Sequence, residues 1–139
     1  MKLVIEQLPV LADNYIYLLH DPSTGSTAAV DPAVPEPVFE ALERRGWTLT
    51  HILNTHHHYD HTGGNLVLQK ATGCVVVGAR TDAARIPGIS LEVGERDSFL
   101  LGVAAATVFD VPGHTSGHIA YWLADSHALF CGDSLFSLG

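Results

Sequence analysis

The chain has 139 residues, enough for one hydrophobic core and too few for two ordinary domains. Apolar residues make up 47% and charged residues 16%, a balance that argues against disorder, and the formal charge of -8 speaks against a nucleic-acid partner. No apolar run approaches the roughly 18 residues of a membrane span.

The opening residues, Met1 to Pro9, carry an acidic side chain inside a strand-like pattern, unlike a signal peptide. Residues 2–8 and 14–19 read as strands, joined as a hairpin by the Ala12-Asp13-Asn14 turn. A third strand covers residues 28–31 and ends at Pro32. The clearest helix spans 36–45: Val38, Ala41, Leu42 and Arg45 follow helical spacing, Glu40 can pair with Arg44, and Gly46 can cap the end. Residues 49–55 form an apolar strand aimed at a run of histidines. A short helix follows over 65–71, closed by Gly73, and then a buried strand over 74–77. Beyond a loop at Pro87-Gly88, four strands follow at 98–103, 106–111, 119–123 and 128–131.

Helices between the early strands and consecutive strands later indicate sheets covered by helices, an α/β (α+β) class. Asp31, the histidine run, His114 and Asp133 each fall just past a strand end, a common way to assemble a site on one rim. Cys74 and Cys131 sit far apart in apolar runs and read as small hydrophobes, so nothing demands an oxidising compartment and a cytoplasmic location is expected.

The segment from His56 to His61 places four histidines and one aspartate in six residues. His56, His58, Asp60 and His61 spell H-x-H-x-D-H. In an extended or turning segment His56 and His58 face the same side and can share one metal, while Asp60 and His61 can reach a second. Imidazole and carboxylate suit zinc, iron or manganese better than soft copper(I), and no cysteine lies near. A solvent-exposed polar loop is the bland alternative, but the ligand density directly behind a buried strand favours metal. By itself, His114 in a glycine-rich turn reads as hydrogen-bonded structure, and Asp133 after a strand as a turn or cap.

In this order, the segments Thr55-His-His-His-Tyr-Asp-His-Thr-Gly-Gly-Asn65, Gly113-His-Thr-Ser-Gly-His-Ile-Ala-Tyr121 and Gly132-Asp-Ser-Leu-Phe136 resemble the metallo-β-lactamase superfamily. Within it the chain is similar to the glyoxalase II (hydroxyacylglutathione hydrolase) family, to which Leu11 to Leu19 and Val30-Asp-Pro32 also correspond. The resemblance implies a four-layer αββα sandwich with a dinuclear metal site at one edge. It implies that His56, His58 and His114 hold the first ion, that Asp60 and His61 hold the second, and that Asp133 bridges both. Asp31 would steady the ligand loop through hydrogen bonds, and His118 would support or pack rather than ligate. His57 and Tyr59 alternate with the ligands and should point away from the metals. His20, His51 and His127 have no motif around them, so surface or packing roles are expected.

The implied reaction is hydrolysis of S-(2-hydroxyacyl)glutathione, typically S-D-lactoylglutathione, a step of methylglyoxal detoxification. Its nucleophile would be hydroxide formed from water between two divalent ions, zinc foremost and iron or manganese as alternatives. The substrate partner is thus a small-molecule glutathione thioester, with no nucleic acid or membrane involved. The family pattern continues past Gly-Asp-Ser-Leu-Phe, with a further histidine in a Gly-His-Glu context, the rest of the second half-sandwich and a C-terminal helical domain that holds glutathione. The expectation is therefore one metallo-β-lactamase-like domain over 1–139, truncated within its second half, with an incomplete second metal site, substrate-binding residues beyond Gly139 and weak activity. Two alternatives stay open: another superfamily enzyme, such as a persulfide dioxygenase, and a catalytically dead metal-binding fragment.

Overall fold

The computed structural model describes residues 2–11, 14–111, 117–132 and 135–137. Strands β1 (Val4–Val10) and β2 (Asn14–His20) form an antiparallel hairpin with Val10 opposite Asn14. Two of the three residues expected in its turn, Ala12 and Asp13, lie outside the described residues. Strand β3 (Thr27–Val30) is buried throughout and pairs antiparallel with β2.

Helix α1 (Glu36–Arg45) occupies the expected span, with Val38, Ala41 and Leu42 buried on one face and Gly46 closing it at φ 70°. The expected Glu40 pairing is replaced: Arg44 and Arg45 both reach Glu6 of β1, at 2.6 and 2.7 Å. Arg44 in particular holds the Glu6 carboxyl below its ordinary range. A strand neighbour across the packed face therefore competes better for Arg44 than the residue one turn back.

Strand β4 (His51–Leu53) is shorter than the apolar run that contains it. Leu49, Asn54 and Thr55 are buried, but the Thr55 amide donates to the Asp31 side chain rather than to a neighbouring strand. A single helical turn, α2 (Tyr59–Thr62), was not visible in the sequence because its residues are polar. Helix α3 (Asn65–Thr72) ends at Gly73, φ 70°, and leads into β5 (Val75–Ala79). A 3-10 segment (Arg80–Arg85) and β6 (Leu91–Val93) fill the stretch read as loop. The remaining strands are β7 (Ser98–Leu101), β8 (Ala104–Asp110), β9 (Ile119–Leu123), β10 (Ala128–Phe130) and β11 (Leu135–Ser137).

These strands make two sheets, a six-stranded one in the order β1-β2-β3-β4-β5-β6 and a five-stranded one in the order β11-β10-β9-β8-β7. From β3 to β6 the pairing is parallel, so the carboxyl ends of these strands share one edge. The second sheet is antiparallel throughout.

One apolar cluster joins Tyr17, Val30, Leu53 and Val77 of the first sheet to Leu101, Val108, Tyr121 and Phe130 of the second. The sheets therefore pack face to face, and the rings of Tyr17 and Phe130 meet edge-on across the interface at 5.3 Å. A second cluster sets Val38, Ala41, Leu42 and Leu68 of α1 and α3 on the other face of the first sheet, against Ile16, Leu18, Ile52 and Val76. Three of the expected layers are thus formed by the described residues: helices, sheet, sheet. The outward positions of the second sheet, Phe109, Ala120, Trp122 and Leu129, are apolar too and line an open groove with Val111 and Cys131.

The sheets are also tied together away from the site. The buried Asp21, just after β2, accepts from the Val103 amide at 2.8 Å and from the amide and hydroxyl of Ser23 at 2.9 and 2.7 Å. The Val103 amide foremost, with the Ser23 groups, holds this carboxyl well below the usual carboxylate range. A depressed folded value means that the ionised form stabilises the fold above the unfolded pKa of about 4, and that this is lost as pH falls below it. Asp21→Asn is expected to lower the thermal midpoint at pH 7. The gap to the unmodified chain should close as pH falls below about 4. A gap independent of pH would show that the charge is not what matters.

Candidate metal centre

The parallel edge delivers the polar residues. Asp31 follows β3, the segment from Asn54 to His61 follows β4, and the 3-10 segment follows β5. From the second sheet, the Ile119 amide at the start of β9 donates to the Thr55 carbonyl at 2.8 Å, which closes the two sheets against each other at this edge.

His56 lies in a bend beyond β4, is 6% exposed, and its Nδ1 lies 3.2 Å from the His58 amide. Three other imidazoles surround it. Ring centroids of His61, His58 and His118 lie 4.1, 4.7 and 4.9 Å from its own. Burial foremost, with the neighbouring imidazoles, pulls the His56 pKa down to about 4 against the opposing pull of Asp31. His56 is therefore neutral at physiological pH, the form in which an imidazole can donate to a metal.

His58 starts the α2 turn, and both it and Asp60 are exposed. The turn folds His61 back under His56. Asp60 is anchored through its backbone, where the carbonyl accepts from Asn14 Nδ2 at 2.9 Å, and its carboxylate lies 3.7 Å from His61 Nε2.

Asp31 is 1% exposed and adopts a positive φ of 51°, which Asp tolerates better than most residues. Its carboxylate accepts from the Thr55 amide at 2.8 Å and the Thr55 hydroxyl at 2.6 Å, and lies 3.1 Å from His61 Nδ1. A carboxylate behind one ring nitrogen fixes the ring's orientation and leaves the other nitrogen for a metal.

The consecutive glycines at the end of the loop are explained by close approach. A Cβ on Gly64 would lie 2.7 Å from the Pro32 carbonyl, to which the Gly64 amide donates, and one on Gly63 would collide with the Ala33 carbonyl. The Thr-Gly-Gly segment thus seats the metal-motif loop against the Asp31 loop.

His114 and Asp133 lie outside the described residues. Among the described residues, no group of three or more His, Cys, Asp and Glu is arranged to hold a metal ion by itself. The edge brings together His56, His58, His61, His118 and Asp31, with Asp60 beside His61. The other histidines are elsewhere: His20 stacks on Trp47 at 4.1 Å, and His51 Nδ1 lies 2.8 Å from Thr50 Oγ1. Tyr59 is 81% exposed, while His57 turns to Asp82, with Nδ1 2.5 Å from a carboxylate oxygen.

Several supporting residues escaped the sequence reading. Asn54 Nδ2 donates to the His61 carbonyl at 3.1 Å, and Asn65 Nδ2 donates to Asn54 Oδ1 at 2.6 Å. The fully buried Tyr121 crosses from the second sheet to donate its hydroxyl to the Asn54 carbonyl at 2.6 Å. Asn54 and Asn65 follow a strand and a glycine pair, a weak local signal; Tyr121 and Asp82 have none. Tyr121→Phe should cost about 1–2 kcal/mol of unfolding free energy in a urea titration, since it leaves a buried carbonyl without that donor. A cost near zero would show that the carbonyl finds another partner.

A family model described as the metallo-beta-lactamase superfamily matches residues 13–139. Over 137 residues the chain is 64% identical to a hydroxyacylglutathione hydrolase of Methylococcus capsulatus, covering 99% of this chain and 54% of that protein. A second one, from Rhodospirillum rubrum, is 58% identical over 135 residues, covering 97% and 53%. The chain spans about half the length of the curated relatives it matches. Among solved structures, ETHE1 from Myxococcus xanthus superposes with a TM-score of 0.77 at 31% identity, covering 88% of this chain and 54% of that one. The BLEG-1 B3 metallo-beta-lactamase gives 0.81 at 24% identity, covering 96% and 74%, a likeness of fold.

Proposed function

Because the chain belongs to the metallo-beta-lactamase superfamily, we propose that the histidine edge is a divalent-metal centre serving the hydrolysis of a glutathione thioester. The observation that carries the reading is the packing of three imidazoles within 4.1–4.9 Å of the buried, neutral His56, with the Asp31 carboxylate behind His61. The two hydroxyacylglutathione hydrolases at 64% and 58% identity support the substrate class.

Imidazole and carboxylate donors fit zinc foremost, and also iron or manganese. His56 and His58, with His114, would hold one ion; Asp60 and His61 would hold a second; Asp133 would be shared. A bound divalent ion supplies Lewis acidity, polarising a carbonyl and lowering the pKa of water. The chain's own residues orient and support. Asp31 fixes the His61 ring, Thr55 holds Asp31 in place, and burial keeps His56 unprotonated. The leaving thiolate of a thioester is a weak base, so no side chain is needed to protonate it.

The substrate we infer is S-(2-hydroxyacyl)glutathione, with S-D-lactoylglutathione the first to test. We read residues 1–139 as one metallo-β-lactamase-like domain. Among the described residues, no helix is long and apolar enough to cross a membrane. We read the setting as cytoplasmic, since Cys74 packs in an apolar cluster as a small hydrophobe.

The test is turnover of S-D-lactoylglutathione by chelator-treated protein before and after zinc is restored, with His58→Ala in parallel. Hydrolysis that appears with zinc and is absent in His58→Ala is expected. A rate with zinc no higher than in buffer would contradict the assignment for this chain.

A further inference from the structure

We propose that Asp82 is a positioning residue for the metal-binding loop, holding His57 so that His56 and His58, on either side, are presented in a fixed geometry before metal arrives. The inference rests on the metal-centre reading above and adds a residue from a different part of the chain to it.

Asp82 sits in the 3-10 segment after β5, and its side chain is completely buried. A buried carboxylate is costly unless it is paired, so its partners indicate its role. One carboxylate oxygen lies 2.5 Å from His57 Nδ1, and the other lies 2.8 Å from Arg85 Nε, on a half-exposed side chain. Arg85 belongs to the same 3-10 segment and offsets the charge locally. The His57 contact reaches 25 residues back, into the middle of the H-x-H-x-D-H segment.

That contact acts on both neighbours of His57. Anchoring its side chain on Asp82 fixes the chain direction where it passes from the bend at His56 to the α2 turn that His58 begins. The rings of His57 and His58 also meet edge-on at 4.8 Å.

Asp82 touches a second loop as well. Gly117 has φ 80°, and a Cβ there would lie 2.6 Å from Asp82 Cβ. Gly117, the residue before His118, therefore rests directly on Asp82, and only glycine fits. One buried carboxylate thus touches the two histidine segments that β4 and β9 bring to this edge. A carboxylate needed only to close the 3-10 turn onto Arg85 would require neither contact.

The test compares zinc affinity, by competition with a chelating indicator, in the full chain and in Asp82→Ala, Asp82→Asn, His57→Ala and the Asp82→Ala/His57→Ala double variant. Amide hydrogen exchange over residues 55–62 is followed in the metal-free proteins. Partners that orient ligands typically affect metal affinity ten- to a hundredfold, so Asp82→Ala and His57→Ala are each expected to weaken zinc binding by about that factor. If Asp82 acts through His57, the double variant is no weaker than the worse single one. Asp82→Asn, whose amide oxygen can still accept from His57, should recover part of the loss. Both alanine variants should speed exchange over 55–62 without metal.

Affinities within twofold of the unmodified chain, or losses that multiply in the double variant, would overturn the proposal. If Asp82→Ala does not fold, His57→Ala decides alone, because it leaves the carboxylate paired with Arg85. Unchanged affinity there overturns the proposal too. His56→Ala is the reference: if it loses zinc while these variants do not, only this inference fails. An unmodified chain that binds no zinc refutes both.

Discussion

His56→Ala is expected to reduce zinc affinity by more than the ten- to hundredfold typical of residues that merely orient ligands, and to bring thioester turnover to background. His56 is the hub of the edge: its ring has His61, His58 and His118 around it, and its burial keeps it unprotonated and ready to donate. The fold should survive, because the two apolar clusters that join helices to sheet and sheet to sheet do not include it. A retained circular-dichroism spectrum with lost zinc is the expected pair of observations. Tyr59→Ala, three residues on and 81% exposed, should change neither. Zinc bound at full strength by His56→Ala would refute the assignment of this residue as a ligand.

Asp31→Ala should lose stability and metal affinity together, which separates it from His56→Ala. Its carboxylate is the acceptor for the buried Thr55 amide and hydroxyl and lies behind His61 Nδ1. Removing it leaves these donors without their acceptor, at a cost of about 1–3 kcal/mol for each buried group. Alanine also tolerates the positive φ at this position less well than aspartate. Urea unfolding of the metal-free protein should show a loss of at least about 2 kcal/mol. Zinc affinity should fall by about ten- to a hundredfold as His61 loses its orientation. Asp31→Asn, which keeps an acceptor for Thr55, should retain more stability than affinity. An unchanged unfolding midpoint in Asp31→Ala would contradict the reading of Asp31 as the support of this loop.

The parts legible in the sequence are those written in local pattern. Residues 36–45 announce α1 through one apolar face and a closing glycine, and the structure gives that helix the same bounds. The spacing of His56, His58 and His61 behind an apolar run already indicates a metal-type edge, and the structure brings these rings together. The less legible parts depend on contacts across the fold. Arg44 chooses Glu6, 38 residues away, over Glu40. The strand over 49–55 narrows to His51–Leu53 because Thr55 is claimed by a side chain from the neighbouring loop. Tyr121 and Asp82 reach the site from 67 and 25 residues away, and neither carries a local signature of doing so. The 3-10 segment was hidden for a related reason: its polar residues show no apolar period, and its buried member, Asp82, is a carboxylate. His114 and Asp133, which the family resemblance assigns to the metals, lie outside the described residues.

Whether this edge is a divalent-metal centre is read most directly from a zinc titration of the metal-free chain against a chelating indicator. The unmodified chain is expected to take at least one equivalent of zinc from the indicator, and His56→Ala and His58→Ala are each expected to fail to do so. An indicator that keeps all its zinc in the presence of the unmodified chain would contradict the metal-centre reading.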